Sequence, residues 1–147
     1  MGRSPQLEPA TPADVEAIRS LLEAAGLPSA DLGAPNQRFL VAREAGALLG
    51  CVGLELFGEG ALLRSLAVAE RRRGEGLGGA LAAGALEEAR RRGVRALYLL
   101  TTTAEGFFAR RGFARIGREE VPEAVRGSAE FGALCPASAA CMARRLA

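Results

Sequence analysis

Residues 71–79 combine clustered arginines with closely spaced glycines, in the order Arg71, Arg72, Arg73, Gly74, Glu75, Gly76, Leu77, Gly78 and Gly79. An apolar run that predicts a strand precedes them (residues 62–68), and an alanine- and leucine-rich run that predicts a helix follows (residues 80–90). The first backbone N–H groups of a helix have no partner within it, and glycines let an anion approach them closely. A pyrophosphate is therefore the expected ligand of this turn, against the alternative of a helix-opening turn that binds nothing.

The spacing of these glycines separates three kinds of phosphate-binding turn. A P-loop ends in Gly-Lys-Ser/Thr, and this chain contains no lysine. The dinucleotide fingerprint Gly-x-Gly-x-x-Gly does not fit either, because Gly74, Gly76 and Gly78 alternate with single residues. Arg71, Gly74 and Gly76 do fit Arg-x-x-Gly-x-Gly directly after a Leu-Ala-Val segment. With this signature the chain resembles the GCN5-related N-acetyltransferases, whose pattern binds acetyl-CoA.

A second block, residues 102–113, is similar to another conserved segment of that family and ends in Gly-Phe. The resemblance implies a single N-acetyltransferase domain over residues 1–147, with acetyl-CoA as co-substrate. It implies an α/β fold: a mixed, mostly antiparallel sheet of six to seven strands, helices on both faces, and splayed central parallel strands. Matched onto this chain, the acetyl-CoA-binding residues are Leu66, Ala67, Val68, Arg73, Gly74, Glu75, Gly76, Leu77, Gly78, Gly79, Thr102, Phe107 and Phe108.

The chain departs from the family at two positions where relatives carry acid–base groups. Many relatives have a tyrosine acid where this chain has Phe108, and some have a glutamate base where it has Leu62. Glu55 or Glu59 could act as a base through water, against the alternative that both are ordinary turn or edge carboxylates. We take Glu55 and Ser65 as the candidate catalytic residues. An amine that arrives partly deprotonated needs no strong base.

Arg64 is the candidate residue for the acceptor. It lies on the strand expected beside the acetyl group, and arginine binds carboxylates through two parallel hydrogen bonds. We therefore predict a small, amino-acid-like amine as acceptor, while a surface salt bridge is the alternative role for Arg64.

The C-terminal third resembles one subgroup, the arsenic-resistance-associated N-acetyltransferases, in residues 118–125, 128–131 and 134–142. This suggests a role in arsenic or toxic-metabolite resistance. Two other functions remain open: a non-catalytic acetyl-CoA-binding module, and an arsenite-binding protein that uses Cys51, Cys135 and Cys141.

Composition restricts the chemistry further. The 147 residues are 49% hydrophobic and 24% charged, with a net charge of +2, which gives no argument for nucleic-acid or membrane binding. The chain has no histidine, so Ser-His-Asp, Cys-His and histidine-ligated metal sites are excluded. The polar start, residues 1–12, does not resemble a signal peptide. We expect a cytoplasmic monomer or homodimer with reduced cysteines, no bound metal and a small-molecule partner.

The hydrophobic pattern predicts the elements that would position these residues. Helices are expected over residues 12–25, 80–92, 104–111 and 122–130, and residues 27–36 are expected to form a loop that could include a short helix near Leu32. Strands are expected over residues 7–10, 39–42, 48–57, 61–68, 96–100, 113–118 and 138–145. The long helix should connect two parallel strands, 61–68 and 96–100.

Overall fold

The computed structural model describes residues 6–146, so the first five residues of the polar start lie outside them. Seven strands form one sheet in the order β1-β2-β3-β4-β5-β7-β6. The strands are β1 (Gln6–Pro9), β2 (Gln37–Glu44), β3 (Ala47–Phe57), β4 (Gly60–Val68), β5 (Ala96–Thr101), β6 (Ala114–Arg115) and β7 (Ala140–Arg145). The α-helices are α1 (Val15–Ala24), α2 (Leu77–Arg91), α3 (Glu105–Ala109) and α4 (Glu123–Arg126). The expected mixed, mostly antiparallel α/β sheet is confirmed.

The two central strands separate along their length. β4 and β5 are parallel, as predicted, and their register joins Gly60–Leu62 to Ala96–Tyr98. The remaining pairs of the sheet, on either side, are antiparallel. Because the paired segment is only three residues long, the C-terminal parts of β4 and β5 are free to diverge and leave a cleft between them.

Helices cover both faces of the sheet. On one face, α2 buries a stripe of apolar residues at helical spacing, including Leu77, Leu81, Ala85 and Ala89. On the other face, α1 packs Ile18 and Leu22 into a separate cluster with residues of β2, β3 and β4. Each fully buried leucine contributes about 1.5–3 kcal/mol to folding, so these clusters hold the strands that carry the cleft.

Several predicted element boundaries were wrong. α2 begins at Leu77 and not at Ala80, because Gly78 and Gly79 have helical backbone conformations and enter the helix. Residues 27–36 form the predicted loop, but it contains turns and no helix near Leu32, because this segment has Gly33 at φ 96°.

Two more predictions failed near the C-terminus. The predicted strand 113–118 is reduced to Ala114–Arg115, since a 3₁₀ turn begins at Arg118. The predicted helix 122–130 divides into α4 and a π-helical turn, Glu130–Leu134, where the Phe131 N–H is capped by the Ser128 hydroxyl at 3.4 Å. Within residues 6–146, the helices are too short or too polar for a transmembrane span.

Candidate active site

A cavity of about 710 Å³ lies where β4 and β5 diverge. Its walls come from the end of β4, the end of β5, α3 and the start of α2. The residues lining it are Ala25, Leu27, Leu63, Arg64, Ser65, Leu66, Ala67, Val68, Arg73, Gly78, Leu99, Leu100, Thr101, Thr103, Ala104, Gly106, Phe107, Phe108 and Arg110. We call this space the cleft.

The N-terminus of α2 closes one end of the cleft. Gly74 and Gly76 in the preceding turn each have φ 84°, a conformation that favours glycine. A Cβ at either position would meet nothing within 4 Å, so the backbone there is open to a ligand. Arg73 donates from Nε to the Val68 carbonyl at 3.2 Å and lies at the cleft with Arg110. Free helix N–H groups beside two arginines make an anion-binding site.

The structure brings most of the predicted acetyl-CoA-binding residues together. Those lining the cleft are Leu66, Ala67, Val68, Arg73, Gly78, Phe107 and Phe108. Gly74, Glu75 and Gly76 form the turn, whereas Leu77 and Gly79 belong to α2. The Leu77 side chain is buried in the core and Glu75 accepts a hydrogen bond from Arg72 at 2.7 Å, so these two offer a ligand only their backbone.

Thr102, which was predicted to bind acetyl-CoA, does not line the cleft. It lines a neighbouring cavity, while Thr101 and Thr103 line both. The lining residues that were not predicted from the sequence are Ala25, Leu27, Leu63, Leu99, Leu100, Thr101, Thr103, Ala104, Gly106 and Arg110.

Phe108 is a core residue as well as a wall of the cleft. It is buried, and its ring makes edge contacts with Phe107 at 5.0 Å and Phe113 at 5.5 Å between centroids. The Arg111 guanidinium lies 3.7 Å from the Phe107 ring centroid and donates to the Phe107 carbonyl at 2.9 Å. These contacts fix α3 as one rigid side of the cleft.

A bulge in β4 places Ser65 at the centre of the cleft. Ser65 and Leu66 face a single residue of β3, Val52, because the register passes from Arg64–Gly53 to Ala67–Cys51. Ser65 has φ 60°, a left-handed conformation that costs a non-glycine residue about 1–2 kcal/mol. Its carbonyl accepts a hydrogen bond from the Cys51 thiol at 3.3 Å. A bulge interrupts the regular strand pairing, so backbone groups become available on the cleft side.

Arg64 lies at the centre of a carboxylate cluster. Its Nη1 and Nη2 donate to the two oxygens of Asp31 at 2.5 and 2.6 Å. Nη1 also donates to Glu55 at 3.1 Å, Nη2 lies 3.4 Å from a Glu130 oxygen, and Nε donates to the Ser65 hydroxyl at 3.0 Å. The Arg64 side chain is 0% exposed. The alternative of a surface salt bridge is therefore wrong: this is a buried ion-pair network.

Three carboxylates around one guanidinium leave an excess of negative charge. Burial raises the pKa of Glu130 to about 7; Arg64 opposes this, and the nearby charges of Asp31 and Glu55 add to it. The hydrogen bonds from Arg64 hold the pKa of Asp31 below its usual value. Burial disfavours the charged form of Arg64, but its contacts, first with Asp31, outweigh this and raise its pKa.

A second cavity, of about 440 Å³, adjoins the cleft, because four lining residues are common to both: Leu27, Leu100, Thr101 and Thr103. Its other lining residues are Gly26, Pro28, Ser29, Ala30, Thr102, Leu134, Cys135, Pro136 and Ala139. We call it the side cavity. Together, the cleft and the side cavity can hold two molecules that meet at these shared residues.

The candidate bases lie in different environments. Glu55 is buried and bonded to Arg64, whereas Glu59 is exposed on the β3–β4 turn, 3.7 Å from Arg95. Leu62, opposite Glu55 in the sheet register, is fully buried in the core. Glu55 is therefore the carboxylate of the two that belongs to the cluster beside the cleft.

The cysteines lie apart in the fold. Cys51 and Cys141 are buried in different hydrophobic clusters, and Cys135 forms part of the side-cavity wall. Burial raises the pKa of Cys51 to about 12 and that of Cys135 to about 11. In the part of the chain from 6 to 146, no group of three or more Cys, Asp or Glu residues is placed to hold a metal ion.

Residues 6–115 match the model of the acetyltransferase (GNAT) family. No curated protein sequence matches the chain significantly.

Solved structures share the fold. N-acetylglutamate synthase from Neisseria gonorrhoeae, complexed with coenzyme A and L-arginine, superposes with a TM-score of 0.80 at 24% identity over 99% of this chain. The match spans only 34% of that synthase chain. Rv2747 from Mycobacterium tuberculosis, in complex with CoA and NLQ, gives a TM-score of 0.82 at 27% identity, covering 97% of this chain and 100% of that one. An aminoglycoside 6'-N-acetyltransferase complexed with coenzyme A gives 0.73 at 17% identity, with 97% of both chains covered.

Proposed function

The chain belongs to the acetyltransferase (GNAT) family, and from that premise we propose that it transfers the acetyl group of acetyl-CoA to the amine of a small, amino-acid-like acceptor. One observation carries this proposal: the cleft and the side cavity adjoin where β4 and β5 diverge, and the N-terminus of α2 closes the cleft. The donor then occupies the cleft and the acceptor approaches from the side cavity.

The cleft offers binding groups for the pyrophosphate and for the pantetheine of acetyl-CoA. The pyrophosphate binds the backbone N–H groups of residues 74–79, with Arg73 and Arg110 supplying positive charge. The pantetheine follows the cleft-lining segment Leu66, Ala67 and Val68 toward the bulge. The acetyl group then lies near Ser65, next to the side cavity.

The chemistry is direct transfer. The acceptor nitrogen attacks the thioester carbonyl carbon, the new C–N bond forms, the C–S bond breaks, and the CoA sulfur leaves with the bonding electrons. A backbone N–H at the Ser65 bulge polarises the carbonyl oxygen, which stabilises the developing negative charge. A thiol with a pKa of about 8.5 is an adequate leaving group. The reaction therefore does not need the tyrosine acid that relatives carry at the position of Phe108.

Removal of the amine proton is assigned to Glu55, acting through water. Glu55 is held at the cluster by Arg64, and Ser65 is tied to the same guanidinium through its hydroxyl. The two adjoining cavities align the acceptor amine with the thioester. This positioning supplies much of the rate enhancement.

We also infer the chemical class of the acceptor and a biological role. An amino-acid-like acceptor is supported by Arg64 beside the acetyl position and by the fold shared with an N-acetylglutamate synthase. The resemblance of the C-terminal residues supports a role in arsenic or toxic-metabolite resistance.

The function is tested by incubating the protein with excess acetyl-CoA and a panel of amino acids, aminoglycosides and simple amines, and measuring released CoA thiol. We expect release that depends on the amine, with an acetylated product detected by mass spectrometry. Tight acetyl-CoA binding without amine-dependent release would instead establish the non-catalytic binding module.

A further inference from the structure

The Arg64 guanidinium already holds one carboxylate in the two-bond geometry that a substrate would use. Asp31 presents both oxygens to Nη1 and Nη2, at 2.5 and 2.6 Å. This arrangement is the one arginine offers to any free carboxylate. A carboxylate-bearing acceptor can take it only if Asp31 leaves.

Of the three carboxylates around Arg64, Asp31 is the one that a ligand can displace. Glu55 and Glu130 belong to β3 and to the π-helical turn, and their side chains are 8% and 5% exposed. The Asp31 side chain is 19% exposed and comes from residues 27–36, which contain turns and no regular element. With Asp31 turned away, two buried carboxylates still surround Arg64, so the guanidinium does not become an unpaired buried charge.

Rotation of the partly exposed Asp31 side chain is one way to displace it without moving the loop. The backbone of its loop is held independently, since Gln37 donates to the Asp31 carbonyl at 3.0 Å and accepts from the Gly33 N–H at 3.0 Å. The released carboxylate turns toward solvent, where its charge is hydrated. The charge near Arg64 is unchanged by the exchange, because one carboxylate replaces another.

The Asp31–Arg64 contact lies close to the cavity proposed for the acceptor. Ala30, the residue before Asp31, lines the side cavity, and Arg64 lines the cleft. The Asp31–Arg64 contact therefore joins a segment of the side-cavity wall to a residue of the cleft wall.

We propose that Asp31 is a specificity-determining residue: its carboxylate occupies Arg64 in the free protein and is displaced by the carboxylate of an amino-acid acceptor. This inference rests on the proposed function. The carboxylate of such an acceptor competes with Asp31 for Arg64, whereas an amine without a carboxylate does not, so Asp31 limits how strongly the site favours acceptors that carry both an amine and a carboxylate.

The test compares each amino-acid acceptor with the amine that remains when its α-carboxylate is removed. In Asp31→Asn the competing charge is gone, so we expect the ratio of kcat/KM for the acid to kcat/KM for the amine to rise about tenfold. A fall in that ratio would show that Asp31 helps to bind the acid, and no change would show that Arg64 does not bind it; either result overturns the inference.

Asp14→Asn is the matched control. Asp14 makes the same two-bond contact with Arg43, at 3.1 and 3.0 Å, and lines neither cavity. This variant should leave the selectivity ratio unchanged. Arg64→Lys should lower the ratio in either Asp31 background, because lysine cannot form the two parallel bonds.

A second measurement separates failure of this inference from failure of the proposed function. Calorimetric titration of the same amino acids, with CoA present, needs no turnover. We expect about tenfold tighter binding to Asp31→Asn than to the wild type. Equal affinities, or no binding to either protein, would overturn the role of Asp31, whereas absence of turnover alone would count only against the acetyl transfer.

Discussion

Glu130 is a buried carboxyl whose pKa is raised to about 7, chiefly by burial and despite the nearby Arg64. The groups facing it are Arg64 from β4, Asp31 from the loop, Glu55 from β3 and Cys135 beyond its own turn. The chain has no histidine, the side chain whose ordinary pKa of about 6.5 falls in this range. Glu130 therefore couples the stability of the fold to pH near neutrality.

We predict that the free energy of unfolding falls as the pH rises from about 4.5 to above 7. The folded pKa exceeds the ordinary value of 4.5, so the folded protein binds more protons than the unfolded chain in this window. The stability contributed by protonated Glu130 is complete below pH 4.5 and is lost through pH 7. The full difference is on the order of 3 kcal/mol, from 1.36 kcal/mol per pKa unit.

Urea denaturation at several pH values checks this, with Glu130→Gln as the test and Glu23→Gln, an exposed position on α1, as the control. The Glu130 variant should lose most of the slope, and the control should keep it. Equal slopes in all three proteins would show that Glu130 is already ionised in the folded state near pH 5.

The thiols are predicted to take no covalent part in the transfer. Burial raises the pKa of Cys135, the cysteine on the side-cavity wall, to about 11, so little thiolate is present at neutral pH. Cys135→Ala should therefore keep kcat within about threefold of the wild type, less than the tenfold that corresponds to 1.4 kcal/mol of barrier. Detection of an acetylated cysteine by rapid quench and mass spectrometry would contradict direct transfer.

At the scale of elements, the N-terminus of α2 is expected to carry much of the donor affinity. Gly76→Val places a β-branched residue at φ 84° and a side chain over the open backbone, so acetyl-CoA should bind at least tenfold more weakly, about 1.4 kcal/mol. Isothermal titration measures the affinity.

Gly93→Val is the matched control for this change. Gly93 follows the other end of α2, has φ 79° and likewise has nothing within 4 Å of its Cβ position. It should lose comparable stability while keeping donor affinity. Equal acetyl-CoA affinity in both variants would remove the turn of residues 74–79 from the binding site.

Elements with strong local signals could be predicted from the sequence. The glycine turn, the parallel pair β4 and β5, and the order of helices and strands follow from hydrophobic periodicity and spacing. The short helix predicted near Leu32 is absent and the break after Gly127 was not predicted, because short turns and helices depend on tertiary contacts more than on propensity.

Part of the candidate site could not be predicted for a different reason. Arg64 was expected to bind a substrate carboxylate or to form a surface salt bridge, although an arginine within an apolar strand also fits the buried, acid-paired cation that the structure shows. The partners themselves could not be chosen, because Asp31 lies 33 residues away and Glu130 lies near the other end of the chain. Their approach is set by the path of two irregular segments, and neither has a sequence pattern that specifies it.

For the whole molecule, donor binding should appear as a gain in thermal stability. A ligand at 100 times its Kd stabilises the folded state by about 2.7 kcal/mol. For a chain of 147 residues, this corresponds to a rise in Tm of roughly 5–10 °C.

Differential scanning calorimetry with acetyl-CoA measures the shift. Gly76→Val, tested at the same donor concentration, should show a smaller increase than Gly93→Val. An increase of the same size in both would indicate that CoA stabilises the protein through contacts away from α2.

The Arg64 network also has a consequence for the cooperativity of folding. One guanidinium in β4 joins a loop before β2, the strand β3 and a turn just before β7. Bringing such distant segments together costs loop-closure entropy, and opening the backbone of any one of them exposes the buried network and removes one of its charged members. The N-terminal loop and the C-terminal turn should thus open in a single concerted transition, so that local fluctuation at one end of the chain is restrained by the other.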